Sequence, residues 1–281
     1  MTTPTPTKKT ANADARYSAP ALDKGLDILE VLSKTPQGYT LNELSHVLGR
    51  SVNEIFRMVS TLHQRNYIHI NDRDRYALTL KLFTLAHEQE PIKSLIKEAL
   101  PLLAELSERS MQSSHLALYQ NGRVMITAQN DSPERWSFGL KTGAQIGLTD
   151  TSSGHVLLAF ADDATRARML NHHIKIDGEI AQEPEALTQI LQTVRQQGYA
   201  TMPSIQIQGV TNIAMPVFGV AGKIHAAINV PHIARIDGLR RPNIEQIITI
   251  LRDITLRLGL RVGYIPAVDG PHAVTDSATN D

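Results

Sequence analysis

The strongest constraint in this sequence is a pair of helix starts placed almost back to back. Thr40-Leu-Asn-Glu43 and Ser51-Val-Asn-Glu54 both read as capping boxes, in which a hydroxyl and a carboxylate three residues later satisfy orphan backbone donors at a helix start. Leu41, Leu44, Val47 and Leu48 follow the first at helical spacing, and Val52, Ile55, Phe56, Val59 and Leu62 follow the second. Only Gly49 and Arg50 lie between, so the two helices must turn sharply: this is a helix-turn-helix. Upstream, Leu22, Leu26, Leu29 and Leu32 form an apolar helical stripe that ends before Pro36 and Gly38. Downstream, Tyr67–Ile70, the polar run Asn71–Arg75 and Tyr76–Leu80 read as strand, turn and strand, which adds a wing.

A winged helix-turn-helix places its second helix in the major groove of double-stranded DNA. The residues expected to face an operator there are Arg50, Ser51, Asn53, Glu54 and Arg57, with Arg73 and Arg75 at the wing tip. Asn suits adenine, Glu accepts from cytosine, and Arg pairs with guanine or a phosphate. Glu54 also serves the second capping box, and Asp72 and Asp74 flank the wing arginines. Charge matters here because 28 basic and 28 acidic residues leave a formal net charge of +0. With no basic bulk field, affinity has to come from local side chains and from more than one copy, a homodimer or homotetramer.

The chain has 281 residues, room for two domains of ordinary size. The expected organisation is a mobile arm over 1–20, the winged helix-turn-helix over 21–82 (mainly α with a β-wing), a linker helix region over 83–110, an α+β domain over 111–264 and a tail over 265–281. Pro91 suits the first turn of the linker helix. In the α+β part, His115–Tyr119 and Arg123–Ala128 flank the hairpin turn Asn121-Gly122, and a strand is expected at Trp136–Leu140. Helices follow from Thr151 to Phe160, at 163–170 and 183–197. Strands return at 199–202, 209–218 and 223–230 before a last helix at 243–260. Between Tyr199 and Pro231, Lys223 is the only charged residue, yet Ser204, Gln206, Gln208, Thr211, Asn212 and Asn229 sit among apolar neighbours. A mostly apolar concavity carrying a few neutral polar groups is the usual make-up of a small-molecule site.

Several readings are excluded or disfavoured. There is no cysteine, so no thiol nucleophile and no Cys-ligated metal. His172-His173, His115, His225 and His232 lack metal-ligand spacing, and no metal or cofactor is expected. No apolar run is long enough for a membrane helix and no secretory signal is evident, so the expected location is cytoplasmic, with no membrane partner. Ser153 beside His155 suggests a hydrolase, but adjacent residues opening a helix point apart, and no Gly-x-Ser-x-Gly elbow exists. A further alternative is a ligand-independent DNA-binding protein whose second domain only oligomerises.

Ala21-Leu-Asp-Lys-Gly-Leu-Asp-Ile-Leu-Glu30 is similar to the opening helix of IclR-type transcription regulators. Leu41–Gly49 with Ile55-Phe-Arg57 and Leu62 resembles that family's helix-turn-helix, and Arg75–Leu80 its wing exit. Gly154–Phe160, Gln197–Ala200, Gly209–Phe218 and Gly222–Asn229 resemble its second domain, so the likeness runs over about residues 20 to 262. It implies a C-terminal GAF-like effector-binding domain that senses a small-molecule effector and alters operator binding. By position it implies effector contacts from Ser152, Ser153 and Gly154 in a loop beginning at Thr151, and from Met202, Asn212 and Asn229 near Pro231. The sequence departs from the family pattern at Thr149-Asp-Thr151, His155, Asn212 and around Ser204 and Gln206, where acidic residues are usual. A carboxylate-lined pocket is therefore not expected, and organic acids, sugar-like hydroxyl compounds and aromatic acids all remain open.

Overall fold

The computed structural model describes residues 19–87, 92–237 and 239–266. Most of the expected arm and tail, together with Pro91, lie outside these residues. The chain divides into two compact units, 1–90 and 91–281.

The first unit is built on α1 (Pro20–Ser33), α2 (Leu41–Val47) and α3 (Val52–Gln64), then a ribbon of β1 (Ile68–Ile70) and β2 (Tyr76–Leu78), then α4 (Lys81–His87). Both capping boxes form: Glu43 N donates to Thr40 Oγ1 at 3.3 Å, and Ser51 N donates to Glu54 at 3.0 Å. Gly49, at φ 62°, supplies the left-handed turn between α2 and α3, a conformation that a side chain would strain. Ile28, Leu32, Leu44, Ile55, Val59 and Ile68 form the core.

Two expectations about this unit need correction. Leu22 and Leu26 are 61% and 48% exposed, because α1 buries the face of Gly25, Ile28 and Leu32 instead. Phe56, expected with the apolar face of α3, is 52% exposed, since that face is completed by Ile55 and Val59.

The second unit is α+β. Its elements are α5 (Ile92–Ser110), β3 (Ser114–Gln120), β4 (Arg123–Asn130), β5 (Gln145–Ile146), α6 (Ser152–Phe160), α7 (Asp163–Asn171), α8 (Pro184–Gln197), β6 (Ala200–Pro203), β7 (Val210–Phe218), β8 (Ile224–Ile233) and α9 (Ile244–Arg261). The strands make one antiparallel sheet in the order β5-β4-β3-β8-β7-β6. Strand alternation separates two cores. Leu116, Ile213, Met215, Val217 and Ile228 face α5 and α9, while Ala117, Ala214 and Ala227 face α6 and α8. The small residues on that second face let α6 come close, and its Val156, Leu157, Leu158 and Ala159 are all buried.

The expected linker region is divided by this architecture. Leu95, Ala99, Leu102, Leu103 and Leu106 make α5 a core element of the second unit rather than a connector. The strand expected at 136–140 is irregular, and the regular strand on that side of β4 is the short Gln145–Ile146 further on.

Candidate functional site

In the first unit, the side chains expected to read DNA fall into two groups. Arg50 Nη2 is held by Asp27 of α1 at 3.1 Å. Glu54 is tied to Ser51 and, at 3.2 Å, to Lys24, and the backbone amide of Ser51 lowers its pKa to about 2. Ser51 completes that cap. Arg75 turns back from the wing, with Nη2 on Glu43 at 2.7 Å and Nε donating to the Gly38 carbonyl at 3.1 Å. These four side chains are committed to joining α1, α2, α3 and the wing. Asn53, Arg57 and Arg73 are exposed, and among the described residues no side-chain partner occupies them. The wing turn is shaped by Asn71, whose Oδ1 accepts from the amides of Arg73 and Arg75. Sequence spacing cannot separate a reading arginine from a bracing one; that depends on where Asp27 and Glu43 stand.

In the second unit, a cavity of about 140 Å³, partly open to solvent, lies at the start of α6 and the ends of β7 and β8. Thr151 caps α6, accepting from the Gly154 amide at 3.1 Å, and the Thr151 carbonyl accepts from His155 N at 2.9 Å. The first amides of a helix have no partner within it. Those of Ser152 and Ser153 have none elsewhere among the described residues. Ser152 Oγ donates to Asn229 Oδ1 at 2.8 Å, and Asn229 Nδ2 donates to Asn212 Oδ1 at 3.3 Å. A hydrogen-bonded strip thus crosses from α6 over β8 to β7, whose register sets Met202 opposite Asn212 and Asn212 opposite Pro231.

Ser152, Ser153, Met202, Asn212 and Asn229 all line this cavity. Gly154 does not. It backs onto the Leu148 carbonyl, 2.1 Å from where a Cβ would sit, so its lack of a side chain serves packing. Phe138 lines the cavity, whereas Trp136 is 47% exposed beneath the Arg235 guanidinium.

The expectation of a carboxylate-free lining is overturned, because Asp150 and Glu179 both border the cavity. They arrive by long-range folding of the 172–180 segment onto the 147–151 turn. Glu179 Oε1 accepts from the Leu148 and Thr149 amides at 3.1 and 3.3 Å and from His173 Nε2 at 2.7 Å; Oε2 accepts from the Ile176 amide at 3.2 Å. Burial pushes the Glu179 pKa up, but His173 and these amides outweigh it and the carboxyl titrates below its ordinary value. Asp150 Oδ2 accepts from the Ile180 amide at 2.8 Å while Oδ1 is buried and unpartnered, and burial raises its pKa. His115, opposite Asn229 across β3 and β8, also lines the cavity with Nδ1 unpartnered, and burial lowers its pKa to about 4. Asp150 stands at one of the departures from the family pattern, and Asp177-Gly178 marks the turn that delivers Glu179; neither signal indicates a cavity wall by itself.

His155 Nε2 bonds to the Thr149 carbonyl at 2.8 Å, and Ser153 has no hydrogen bond to it. Among the described residues no cluster of potential metal ligands occurs, and no helix is long and apolar enough to cross a membrane.

A family model described as the C-terminal domain of the bacterial transcriptional regulator IclR matches residues 92–257, and one for the IclR helix-turn-helix domain matches residues 21–71. The Pca regulon regulatory protein of Pseudomonas putida is 27% identical over 230 residues, which cover 80% of this chain and 78% of that protein. The HTH-type transcriptional regulator KdgR of Escherichia coli is 25% identical over 261 residues, covering 90% of this chain and 98% of its own length. The Thermotoga maritima IclR structure superposes with a TM-score of 0.70 at 19% identity, over 86% of this chain and 98% of that one. An IclR homologue from Microbacterium hydrocarbonoxydans, solved with 4-hydroxybenzoate, also gives 0.70, at 20% identity over 86% of this chain and 98% of its own.

Proposed function

The chain belongs to the IclR family of bacterial transcriptional regulators, and from that premise we propose how its two units act: α3 reads an operator, and a small molecule in the cavity at α6 sets operator affinity. Asn53 and Arg57 make the groove contacts and Arg73 meets the backbone from the wing, while Arg50, Ser51, Glu54 and Arg75 hold the reading head in shape. One winged helix covers one half-site, so a neutral chain gains operator affinity as a dimer or tetramer. The protein works by binding rather than by turnover.

The observation that carries the effector reading is the strip Ser152–Asn229–Asn212 beside the free Ser152 and Ser153 amides. Amides at a helix start suit a carboxylate. The lining holds no Lys or Arg and already carries the Glu179 carboxylate, itself paired with His173, so a second negative charge on the ligand would go unneutralised. A cavity of about 140 Å³ is close to the ~150 Å³ that accepts benzene. These features favour a compact monocarboxylate, aromatic or aliphatic; the Microbacterium homologue's 4-hydroxybenzoate is of that class.

Native mass spectrometry of the purified chain, followed by DNA-shift titration with the compound found, tests this. Asn212→Leu should raise the effector concentration needed by roughly tenfold, since an unpaired polar group costs about 1–3 kcal/mol and about 1.4 kcal/mol is tenfold. Operator affinity without effector should stay unchanged. A variant that responds as the parent does would put the effector elsewhere.

A further inference from the structure

Asn53, Phe56, Arg57 and Ser60 fall at i, i+3, i+4 and i+7 of α3, which brings them onto one side of the helix over two turns. All four are exposed. This spacing is the one by which a homeodomain helix presents residues to base edges in the major groove. Phe56 stands out among them. It is 52% exposed, while the core of the first unit is completed without it by Ile55 and Val59, with Met58 and Leu62 packed against them. A lone exposed apolar side chain is ordinary on a protein surface. On this face it sits between Asn53 and Ser60, one turn away on either side, and next to Arg57. The major groove offers one apolar group to such a ring, the C5-methyl of thymine.

We propose that Phe56 is a specificity-determining residue that packs against a thymine methyl in the operator, within the footprint of Asn53 and Arg57. The proposal rests on the reading that α3 lies in the groove. Asn53 and Arg57 recognise bases through hydrogen bonds that orient the helix, and Phe56 adds a shape-selective apolar contact. It favours thymine at one position because cytosine presents a polar N4 donor and no methyl there.

Selection of double-stranded DNA from a random library with the full chain yields the operator. Each thymine of a half-site is then replaced by deoxyuridine, which pairs identically and lacks only the methyl. The parent should lose about fourfold in affinity at one thymine position, the equivalent of about 0.8 kcal/mol for one buried methyl. Phe56→Ala should bind the thymine and deoxyuridine operators equally, and Phe56→Leu should keep part of the difference. Because the ring is half exposed, both variants should melt like the parent. Indifference of the parent to deoxyuridine at every position, or a full penalty persisting in Phe56→Ala, would overturn the assignment. Parallel selections with Asn53→Ala and Arg57→Ala keep the two readings apart. If neither changes the selected sequence, or if the parent enriches none, α3 is not the reading element and both readings fall. If they relax it while the methyl dependence survives in Phe56→Ala, only the role of Phe56 falls.

Discussion

Ser152 Oγ lies 2.8 Å from Asn229 Oδ1, joining the first residue of α6 to β8 across 77 positions of sequence. Both side chains are almost fully buried, at 3% and 2% exposure, and Asn229 passes the link on to Asn212. Asn229→Leu fits an apolar side chain into the strip but leaves the Ser152 hydroxyl and the Asn212 carbonyl unpaired. Each such group costs about 1–3 kcal/mol. Urea unfolding of the full chain should show the second unit weakened by at least that much. A change below about 0.5 kcal/mol would mean that the strip contributes nothing to stability.

Gly154→Ala should destabilise the same unit by a different route. The added Cβ meets the Leu148 carbonyl at 2.1 Å, and a backbone atom cannot rotate aside as a side chain would. Overpacking of this kind costs about 1–3 kcal/mol, occasionally more. Thermal melts check it, and an unchanged midpoint would show that the 148–154 turn adjusts freely.

Arg57→Ala and Arg75→Ala should separate reading from bracing. Removing Arg57 should leave the melting temperature unchanged and weaken operator binding. If the residue reads a base, about 1–3 kcal/mol of discrimination is lost; if it grips a phosphate, the salt slope falls by about one. Removing Arg75 unlinks the wing from Glu43 and the Gly38 carbonyl, so the first unit should melt earlier while the salt slope holds. Fluorescence anisotropy across salt concentrations distinguishes the two, and identical behaviour of the variants would refute the division.

Acid should weaken the second unit through His115. Burial keeps this imidazole neutral and draws its pKa from 6.5 to about 4. The unfolded chain takes up that proton near pH 6.5, so between pH 6.5 and 4 the unfolded state binds more protons and stability falls as pH falls. At about 1.36 kcal/mol per pKa unit, the loss approaches about 3 kcal/mol near pH 4. His155, His225 and His232 are shifted the same way by burial, so the reading is the difference between parent and His115→Gln. Urea midpoints at pH 7, 5.5 and 4.5 should fall less steeply for the variant; parallel curves would show that His115 is not held neutral.

Much of the scaffold was legible from single segments. The Thr40 and Ser51 boxes announced α2 and α3, Asn71–Arg75 announced the wing, and alternation around Ile213 put Asn212 on the face opposite it. The positions of Ser152, Ser153, Met202, Asn212 and Asn229 followed from likeness to a known family, and all five line one cavity. Gly154 matched the same motif for another reason, its contact with Leu148. Asp150, Glu179 and His115 were missed as lining residues because their place depends on the 172–180 segment and on strand pairing, neither of which leaves a local mark.

Capping, periodicity and turn chemistry act over four or five residues, so the sequence alone determined where helices begin, where the chain turns and which residues alternate. Tertiary structure decided which side chains remain available. Among the described residues Arg57 stays without a side-chain partner and Arg75 does not, because Glu43 stands beside the wing; Phe56 is exposed because Ile55 and Val59 already fill the core. The cavity exists because segments 30 to 77 residues apart meet around the start of α6. Burial then tunes two of its walls, since desolvation lowers the pKa of His115 and raises that of Asp150 in ways that no neighbour in sequence specifies.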